Sequence, residues 1–384
     1  MSVTATQKIR LGFIGGGSRS MIGVAHKRAA QASDQFVLTG GVFSADYSES
    51  LRFAAAEGLD TAYVYPDLAQ FISGELAKPA SERIALVSVL TPNALHFDAV
   101  SELLQAGFHV VCEKPITTTL EEAESLAQLA LGRDQAFAVA HTYTGYPMVR
   151  QLQQMVEAGT IGQIQKVDAQ YYQGWINDVL HDEESRQSVW RLKPDVAGPS
   201  CCFGDIGVHA FNLVEFATGL RIQQVLAETD TFNPDNALDV DGTALFKTEC
   251  GVRGLIRASQ IATGEENNLS ISVYGRHGAL KWSQENPNRL IYLPSNAPKQ
   301  TLTPGHPYLA DLATASSTLP PGHPEGLFDA LGNIYFAVAQ KIRGREDDHA
   351  AFPGLNDGVR GMAFIDAVLR SNAQKQQWIE LTCR

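Results

Sequence analysis

The chain has 384 residues, of which 44% are hydrophobic and 19% charged, and its formal net charge is −12. This composition is typical of a folded globular protein that is long enough for two domains. The acidic balance excludes nucleic-acid binding through a basic face, and no stretch of sequence is long and apolar enough to span a membrane.

Strand-like and helix-like segments alternate through the first third of the sequence. Apolar strands joined by helices predict an α/β fold with a doubly wound parallel sheet of the Rossmann type. The predicted strands are 8–14, 36–43, 84–90, 108–112 and 136–140. The predicted helices are 21–32, 48–57, 94–106 and 120–131.

The pattern changes after about residue 141, where strands of alternating polarity become dominant. Helices are predicted at 146–158 and 203–218, and strands at 163–172, 223–231, 242–248, 252–261, 270–274 and 290–293. Turn residues separate these strands, which predicts an α+β domain built on a mostly antiparallel sheet. We therefore predict a dinucleotide-binding domain at 1–142 and a substrate-binding and oligomerisation domain at 143–384.

The end of the sequence begins with a stretch rich in proline, serine and threonine. Residues 299–324 are predicted to form a long surface loop. Helices are predicted at 328–342 and 357–369, followed by a closing strand at 377–381. We expect the C-terminal helix to pack back on the first domain.

Five cysteines are present, and none of them forms a CxxC pair. The spacing of a zinc site is therefore absent, and we predict no metal. The first ten residues lack the apolar core of a secretion signal, so the thiols are expected to be reduced and the protein cytoplasmic.

A glycine-rich turn, Gly15-Gly16-Gly17-Ser18-Arg19-Ser20, connects the first strand to the first helix. Glycines here allow a tight turn and let a diphosphate approach the N-terminus of the helix. The third fingerprint position holds Ser20, and Gly23 follows three residues later. An ordinary strand–helix turn is the alternative, but the βαβ context favours a dinucleotide cofactor. The predicted cofactor contacts of the turn are Gly15, Gly17, Ser18, Arg19, Ser20 and Met21.

The end of the second strand bears on the choice of cofactor. Ser44 occupies the position where an acidic residue would accept the ribose 2′-hydroxyl of NAD, and Asp46 lies two residues further on. A serine accommodates either a hydroxyl or a phosphate. The sequence therefore predicts that Ser44 contacts the cofactor, and it leaves NAD and NADP open.

The tetrapeptide Glu113-Lys114-Pro115-Ile116 follows the apolar strand at 108–112. Ligands of open α/β sheets bind at the carboxyl ends of the strands, where Lys114 is predicted to lie. Pro115 fixes the backbone directly after the lysine. Together with the glycine turn, this arrangement predicts a nicotinamide enzyme with a lysine beside the cofactor.

Asp205 and His209 lie four residues apart near the start of a predicted helix, so they share one face. An imidazole near a carbinol can accept its proton, and a nearby lysine stabilises the developing alkoxide. The alternative is an amphipathic helix that Asp205 caps and in which His209 is merely a buried residue. A metal site is the weaker interpretation, because no third ligand is evident.

These segments, in this order, resemble the Gfo/Idh/MocA oxidoreductase family over nearly the whole chain. The matching segments are the glycine turn, 91–96, 113–115, 159–162, 204–209 and 272–280. The resemblance implies a Rossmann domain followed by a domain with a large open sheet. It also implies NAD(P)-dependent oxidation or reduction of sugars, polyols or inositols, and a homodimer or homotetramer formed through that sheet.

The resemblance also implies roles for individual residues. Lys114 is implied to be the active-site lysine, Asp205 the pocket carboxylate and His209 the acid/base, all three in contact with substrate. The residues implied to line the nicotinamide and its ribose are Thr91, Asn93, His96 and Glu113. Trp190, Arg191 and Trp175 resemble segments near the cofactor or substrate, where an aromatic wall would suit a sugar ring.

The sequence departs from the family pattern at 140–147, where many relatives carry an asparagine and an arginine. Thr142 and Gly145 stand at about those places. His141 and Tyr143 either replace the missing substrate contacts or belong to the core with satisfied polar atoms.

Three functions are compatible with these features. The first is a dehydrogenase of a small neutral sugar or cyclitol. The second is an NAD-dependent glycosidase that oxidises its substrate transiently and eliminates the aglycone, so that no NADH accumulates. The third is a regulator that binds NAD(P) without turnover, in which Lys114 has no catalytic consequence.

Overall fold

Five parallel strands form the first sheet: β1 (Ile9–Gly15), β2 (Phe36–Val42), β3 (Leu86–Leu90), β4 (His109–Cys112) and β5 (Phe137–Val139). The computed structural model describes residues 7–233, 235–345 and 352–382. The strand order is β2–β1–β3–β4–β5, which confirms the predicted doubly wound fold. Because the order reverses between β1 and β3, a crevice is expected at the carboxyl ends of these two strands.

Helices cover both faces of this sheet. They are α1 (Met21–Ala32), α2 (Tyr47–Glu57), α3 (Leu68–Leu76), α4 (His96–Gln105) and α5 (Leu120–Ala130). Helix α3 was not predicted from the sequence. It begins where Asp67 Oδ1 accepts a hydrogen bond from the backbone N–H of Gln70 at 2.7 Å. Short 3₁₀ turns lie at Thr61–Tyr63, Asn93–Leu95 and Thr142–Gly145.

Nine strands form the second sheet. In chain order they are β6 (Ile164–Tyr172), β7 (Ile222–Asp230), β8 (Asp241–Thr248), β9 (Arg253–Ser259), β10 (Asn268–Gly275), β11 (Gly278–Ser283), β12 (Leu290–Pro294), β13 (Gln300–Leu302) and β14 (Ile379–Glu380). Their order in the sheet is β13–β12–β11–β10–β6–β9–β8–β7–β14. Only the β6–β9 pair is parallel among these described strands, so the prediction of a mostly antiparallel sheet is confirmed.

Eight α-helices follow β5 among the described residues. They are α6 (Pro147–Glu157), α7 (Ile176–Leu180), α8 (Glu183–Ser188), α9 (Pro194–Ala197), α10 (Val208–Thr218), α11 (Asp311–Ala315), α12 (Leu327–Ile342) and α13 (Leu355–Ala373). A 3₁₀ turn at Trp190–Leu192 precedes α9, and a π-helical turn at Phe203–Gly207 leads into α10. Such π-helical turns are frequent at functional sites.

The predicted surface loop at 299–324 is wrong. This segment contains β13 and α11, and Leu312, Ala313 and Ser316 are buried. The side-chain oxygen Oε1 of Gln154 accepts a hydrogen bond from the backbone N–H of Leu312 at 2.9 Å, which fixes α11 against α6. The local composition is that of a loop, and the order comes from these tertiary contacts.

The C-terminal helices return to the first sheet. Helix α12 packs against α1, and α13 packs against α5 and β7. Three side chains of α12, Leu331, Ile334 and Val338, share one buried cluster with Leu11 and Ala29 of the first half. Strand β14, within the predicted closing strand, pairs with β7. Among the described helices, none is both long and apolar enough to cross a membrane.

Candidate active site

The glycine turn forms a tight cradle between β1 and α1. Gly15 and Gly16 have φ angles of +82° and +75°, which residues with a side chain rarely adopt. A Cβ atom on Gly23 would lie 2.0 Å from the carbonyl oxygen of Gly16. Gly23 therefore provides the close helix-to-turn packing that the third fingerprint glycine normally gives, a role that the spacing in the sequence did not reveal.

Helix α1 begins at Ser20, whose Oγ accepts a hydrogen bond from the N–H of Gly23 at 3.0 Å. Ser18 and Arg19 are exposed before it, and Met21 is 85% exposed on the first turn. The N-terminus of α1 thus opens toward solvent beside the glycine turn. A cleft of about 380 Å³ adjoins it, lined by residues that include Gly17, Ser18 and Glu49.

The end of β2 carries a charged cluster that the sequence analysis did not find. Glu49 Oε2 lies 3.4 Å from Ser44 Oγ, which donates to it. The Nη2 atom of Arg19 lies 3.2 Å from each oxygen of Glu49, and Arg52 Nη2 lies 3.7 Å from Oε1. Three separate segments contribute to this cluster, so only the i,i+3 pair of Glu49 and Arg52 could have been read from the sequence.

Lys114 and Asp205 form the central ion pair of the site. The Nζ atom of Lys114 donates to Asp205 Oδ1 at 2.7 Å and to the backbone carbonyl of Asp205 at 2.7 Å. The peptide bond between Lys114 and Pro115 is cis. An ammonium group has three N–H donors, so one donor of Lys114 remains for a substrate oxygen.

The second carboxylate oxygen of Asp205 is also occupied. Gln260 Nε2 donates to Oδ2 at 3.0 Å, and Arg191 Nε lies 3.1 Å from the same oxygen. The arginine is at ion-pair distance but is not aligned as a hydrogen-bond donor. Burial alone would raise the pKa of Asp205, but the charges of Lys114 and Arg191 outweigh it and hold the pKa well below its usual range.

His209 lies one turn further along the helix, beside His141. The two Nδ1 atoms are 3.3 Å apart, and the rings meet edge to face. The rings of Tyr143 and Tyr171 also surround His209, with centroid distances of 4.9 and 6.1 Å. Burial, followed by the charge of Lys114, lowers the pKa of His209 well below its usual value. His209 is therefore a neutral imidazole at physiological pH.

Burial and the charge of Lys114 also lower the pKa of His141, to about 3. In the unfolded chain a histidine titrates near pH 6.5, so below that pH the unfolded chain binds a proton that the native protein does not. Because of this residue, the free energy of unfolding decreases as the pH falls from about 6.5 toward 3, and the decrease is roughly 2 kcal/mol at pH 5. We expect His141→Asn to remove that acid-dependent loss. Urea unfolding at pH 7 and pH 5 measures the decrease in the free energy of unfolding. His181→Asn, at an exposed position, is the control. Equal decreases in the wild type and His141→Asn would contradict the expectation.

Glu113 is held by a buried chain of hydrogen bonds. His26 Nε2 lies 2.8 Å from Glu113 Oε1, and His26 Nδ1 lies 2.7 Å from the hydroxyl of Tyr335. That hydroxyl lies 2.7 Å from Ser88 Oγ. A carboxylate only accepts, so His26 donates to Glu113. When Nδ1 of His26 is the acceptor of the other bond, Tyr335 donates to His26 and Ser88 donates to Tyr335. Burial would raise the pKa of Glu113, but the hydrogen bond from His26 helps to lower it below its usual value.

The remaining residues predicted to line the nicotinamide have different environments. The hydroxyl oxygen of Thr91 is buried and has no partner within the described part of the chain. Asn93 Nδ2 donates to the carbonyl of Ala197 at 2.9 Å, which ties α9 to the first domain. Both ring nitrogens of His96 lie 2.8 Å from backbone carbonyls, those of Pro115 and Thr91. His96 therefore holds the lysine turn in place through the backbone.

Tyr143 is a buried residue whose hydroxyl is 2.5 Å from that of Tyr171. Tyr171 donates to Asn267 Oδ1, and Gln173 Nε2 donates to the same oxygen at 2.9 Å. Trp175 Nε1 donates to Gln173 Oε1 at 3.0 Å, and Trp175 is 39% exposed. A continuous polar chain thus connects the aromatic surroundings of His209 to the exposed Trp175. Trp190 is half-buried and stacks under the guanidinium of Arg191, 4.6 Å from the ring centroid.

The structure brings together five of the residues predicted from the sequence, which are Lys114, Asp205, His209, Arg191 and Tyr143. Trp175 lies at the outer end of the polar chain, and His96 makes its contacts to the backbone. Besides the cluster around Glu49, the supporting residues that could not be predicted from the sequence include His26, Ser88, Tyr335, Asp239 and Gln260. Asp239 accepts hydrogen bonds from the N–H groups of Cys201 and Phe203 at 3.0 and 2.9 Å, and so caps the segment that carries Asp205.

The sequence matches known families in both halves. Residues 9–141 match the oxidoreductase family with an NAD-binding Rossmann fold, and residues 149–281 match the GFO/IDH/MocA C-terminal domain. An uncharacterized oxidoreductase of Bacillus subtilis is 31% identical over 98% of this chain and 97% of its own.

Two solved structures of an inositol dehydrogenase homolog from Azotobacter vinelandii are similar to the whole chain. The complex with NAD⁺ is 33% identical, covers 99% of each chain and has a TM-score of 0.92. The complex with NADH and myo-inositol is 32% identical, covers 98% of each chain and has a TM-score of 0.88. Both domains of the family match this chain in the expected order, and the similar structures cover nearly its whole length. The chain therefore belongs to the Gfo/Idh/MocA family of NAD-dependent oxidoreductases.

Proposed function

We propose that this protein is a dehydrogenase that oxidises a secondary hydroxyl of a small neutral polyol or cyclic sugar, or reduces the corresponding ketone. The observation that carries the proposal is the meeting of the Lys114 ammonium, the Asp205 carboxylate and the neutral His209 imidazole at the carboxyl end of the first sheet. The similar Azotobacter protein, in complex with NADH and myo-inositol, supports this substrate class.

Each of the three residues has a distinct role. Lys114 directs its remaining donor to the substrate oxygen and stabilises the negative charge that develops there. His209 accepts the hydroxyl proton in oxidation and returns it in reduction, which requires the neutral imidazole that burial provides. Asp205 holds the lysine, and Arg191 and Gln260 hold Asp205.

The charges of the site favour a neutral substrate. Two cations, Lys114 and Arg191, face two carboxylates, Asp205 and Glu113, in this region. Their formal charges cancel, so the site offers no net attraction for an anion. A polyol or sugar, by contrast, supplies hydroxyl groups that both donate to carboxylates and accept from ammonium groups.

The residues of the first domain fit NAD. The glycine turn lacks side chains where a diphosphate would approach, the N-terminus of α1 faces it, and the hydroxyl of Thr91 has no protein partner within the described residues. NAD, when bound, supplies the hydride acceptor. Glu113, ionised and fixed by His26, would accept hydrogen bonds from the nicotinamide ribose. Glu49 supports NAD, because its carboxylate lies beside Ser44 at the end of β2, where a carboxylate can accept a hydrogen bond from the ribose 2′-hydroxyl.

A panel of substrates tests the proposed function. Inositols, aldoses and aryl glycosides are each mixed with the protein and either NAD or NADP, and cofactor fluorescence is followed. We expect NADH to accumulate with NAD and a cyclic polyol or sugar, and NADPH to accumulate more slowly with NADP. Release of an aglycone without NADH would indicate a glycosidase, and cofactor binding without any reduction would indicate a regulator; either result would refute the proposal.

The buried chain that ends on Glu113 gives a prediction about cofactor affinity. Tyr335→Phe removes the hydroxyl that donates to His26, which leaves a buried imidazole nitrogen unpaired and Glu113 less well fixed. A lost hydrogen bond of this kind costs about 1 kcal/mol or more, so NADH should bind roughly fivefold to tenfold more weakly. Fluorescence titration measures the Kd, with Tyr63→Phe, whose hydroxyl is at the surface, as the control. An unchanged Kd in Tyr335→Phe would contradict the role given to the chain.

Assembly and location complete the proposal. We infer a homodimer or homotetramer formed through the open face of the second sheet, and a cytoplasmic protein. The family resemblance supports the first inference, and the odd number of cysteines in the sequence supports the second.

A further inference from the structure

His141 and His209 come from different parts of the fold and meet in the interior. His141 follows β5 of the first sheet, and His209 lies in the first turn of α10. The two residues are 2% and 8% exposed, and their Nδ1 atoms are 3.3 Å apart. No hydrogen bond from the described residues reaches Nε2 of His209, which leaves that nitrogen for a substrate.

A hydrogen bond between two Nδ1 atoms needs one proton between them. In one arrangement His209 Nδ1–H donates to His141 Nδ1, and His209 Nε2 carries a lone pair. In the other, His141 Nδ1–H donates to His209 Nδ1, and His209 Nε2 carries the proton. The first arrangement suits His209 as a base in oxidation. The second, once His141 also carries a proton on Nε2, suits His209 as an acid in reduction.

We propose that His141 is the proton relay of His209, so that the two imidazoles act as a pair; this inference rests on the proposed dehydrogenase function. In oxidation the substrate O–H bond breaks and its proton joins His209 Nε2. At the same time the Nδ1–H bond of His209 breaks and that proton joins His141 Nδ1. The substrate hydride leaves to NAD, and the carbinol becomes a ketone. His141 then carries protons on both nitrogens, and reduction runs in reverse.

The charged groups around the pair are arranged to support this transfer. Lys114 faces both rings and disfavours a proton on either of them, which keeps the resting pair neutral. Glu113 faces His141 and Asp205 faces His209, and each favours the protonated ring near it. Tyr143 and Tyr171 pack against His209 and exclude water. The positive charge formed in oxidation can thus rest on His141, where the carboxylate of Glu113 compensates it.

Two substitutions separate a relay from a purely positioning role. The amide of His141→Asn can still hydrogen-bond to His209 Nδ1, but it cannot take up a proton, whereas His141→Leu can do neither. We expect both variants to bind NADH within twofold of the wild type and to lose at least about tenfold in kcat, the order expected for a proton-transfer group. A kcat of His141→Asn within twofold of the wild type would refute the relay and leave only positioning.

Rates in mixtures of H₂O and D₂O count the moving protons. The substrate is deuterated at the carbon that loses hydride, so that the chemical step limits the rate. We expect a plot of wild-type kcat against the D₂O fraction of the solvent to be curved, as it is when two protons move in the same step. His141→Asn should give a straight line. A straight line for the wild type would overturn the concerted relay.

Nitrogen NMR of histidine-labelled protein tests the pair without any turnover. At pH 7 we expect two neutral rings, with one Nδ1 protonated and the other bare, and a changed His209 signal in His141→Asn. A doubly protonated ring, or two bare Nδ1 atoms, would refute the pair. If the shared proton is present but no polyol is oxidised, the proposed function fails and the pair stands; if an active enzyme lacks the shared proton, the relay alone fails.

Discussion

Lys114→Ala is expected to lower turnover by at least about two orders of magnitude while the protein remains folded. The substitution removes the only described cation that donates to both the carboxylate and the backbone carbonyl of Asp205. It also removes the donor proposed for the substrate oxygen, so charge developing in the reaction loses its main stabilisation. Because that stabilisation is greater in the transition state than in the ground state, kcat should fall more than KM rises.

Steady-state kinetics with the best substrate of the panel measures this effect, and circular dichroism checks the fold. Lys166→Ala is a matched control, because Lys166 pairs with Asp168 on the second sheet and is more than half exposed. We expect the control to keep wild-type kinetics. Turnover of Lys114→Ala within a few fold of the wild type would remove the lysine from the mechanism.

His209→Gln should also lose at least about a hundredfold in kcat/KM, since general acid–base catalysis typically contributes that much or more. In the wild type, burial and the charge of Lys114 lower the pKa of His209, so the base stays neutral as the pH falls through the ordinary histidine value near 6.5. We therefore expect wild-type kcat/KM to stay level from pH 8 to 6, with its acid limb at lower pH.

A pH profile from 5 to 9 in both proteins checks this expectation. His181→Gln, on an exposed turn, serves as the control and should match the wild type. A wild-type profile that falls by half near pH 6.5 would mean that His209 titrates as an ordinary surface histidine. An active His209→Gln would assign the proton transfer to another group.

The sequence predicted the features that depend on local patterns. The apolar strands with intervening helices gave the Rossmann sheet, and the position of Lys114 after the strand at 108–112 placed it at the carboxyl edge. The spacing of Asp205 and His209 put both on one helical face. These predictions rest on neighbours in the chain, and the structure and the family matches confirm the fold they describe.

The partners that support the site could not be found in this way. His26, Ser88 and Tyr335 lie on α1, β3 and α12, and only the folded chain brings them to Glu113. Gln260 and Asp239 are also far from Asp205 in the sequence. Gln260 donates to the Asp205 carboxylate, and Asp239 caps the segment that carries it. Isolated polar residues in apolar segments give no sign of their partners, because buried hydrogen bonds are formed by tertiary contact.

Helix α12 sets a limit on how this molecule can be divided. It supplies Tyr335 to the hydrogen-bond chain that ends on Glu113. Its apolar side chains belong to the same buried cluster as Leu11 of β1. A fragment that stops near residue 142 would expose that core to water and lose one end of the chain. The nucleotide-binding half therefore does not form a complete folding unit without α12. Any truncated, fused or circularly permuted version must retain residues from both ends of the sequence.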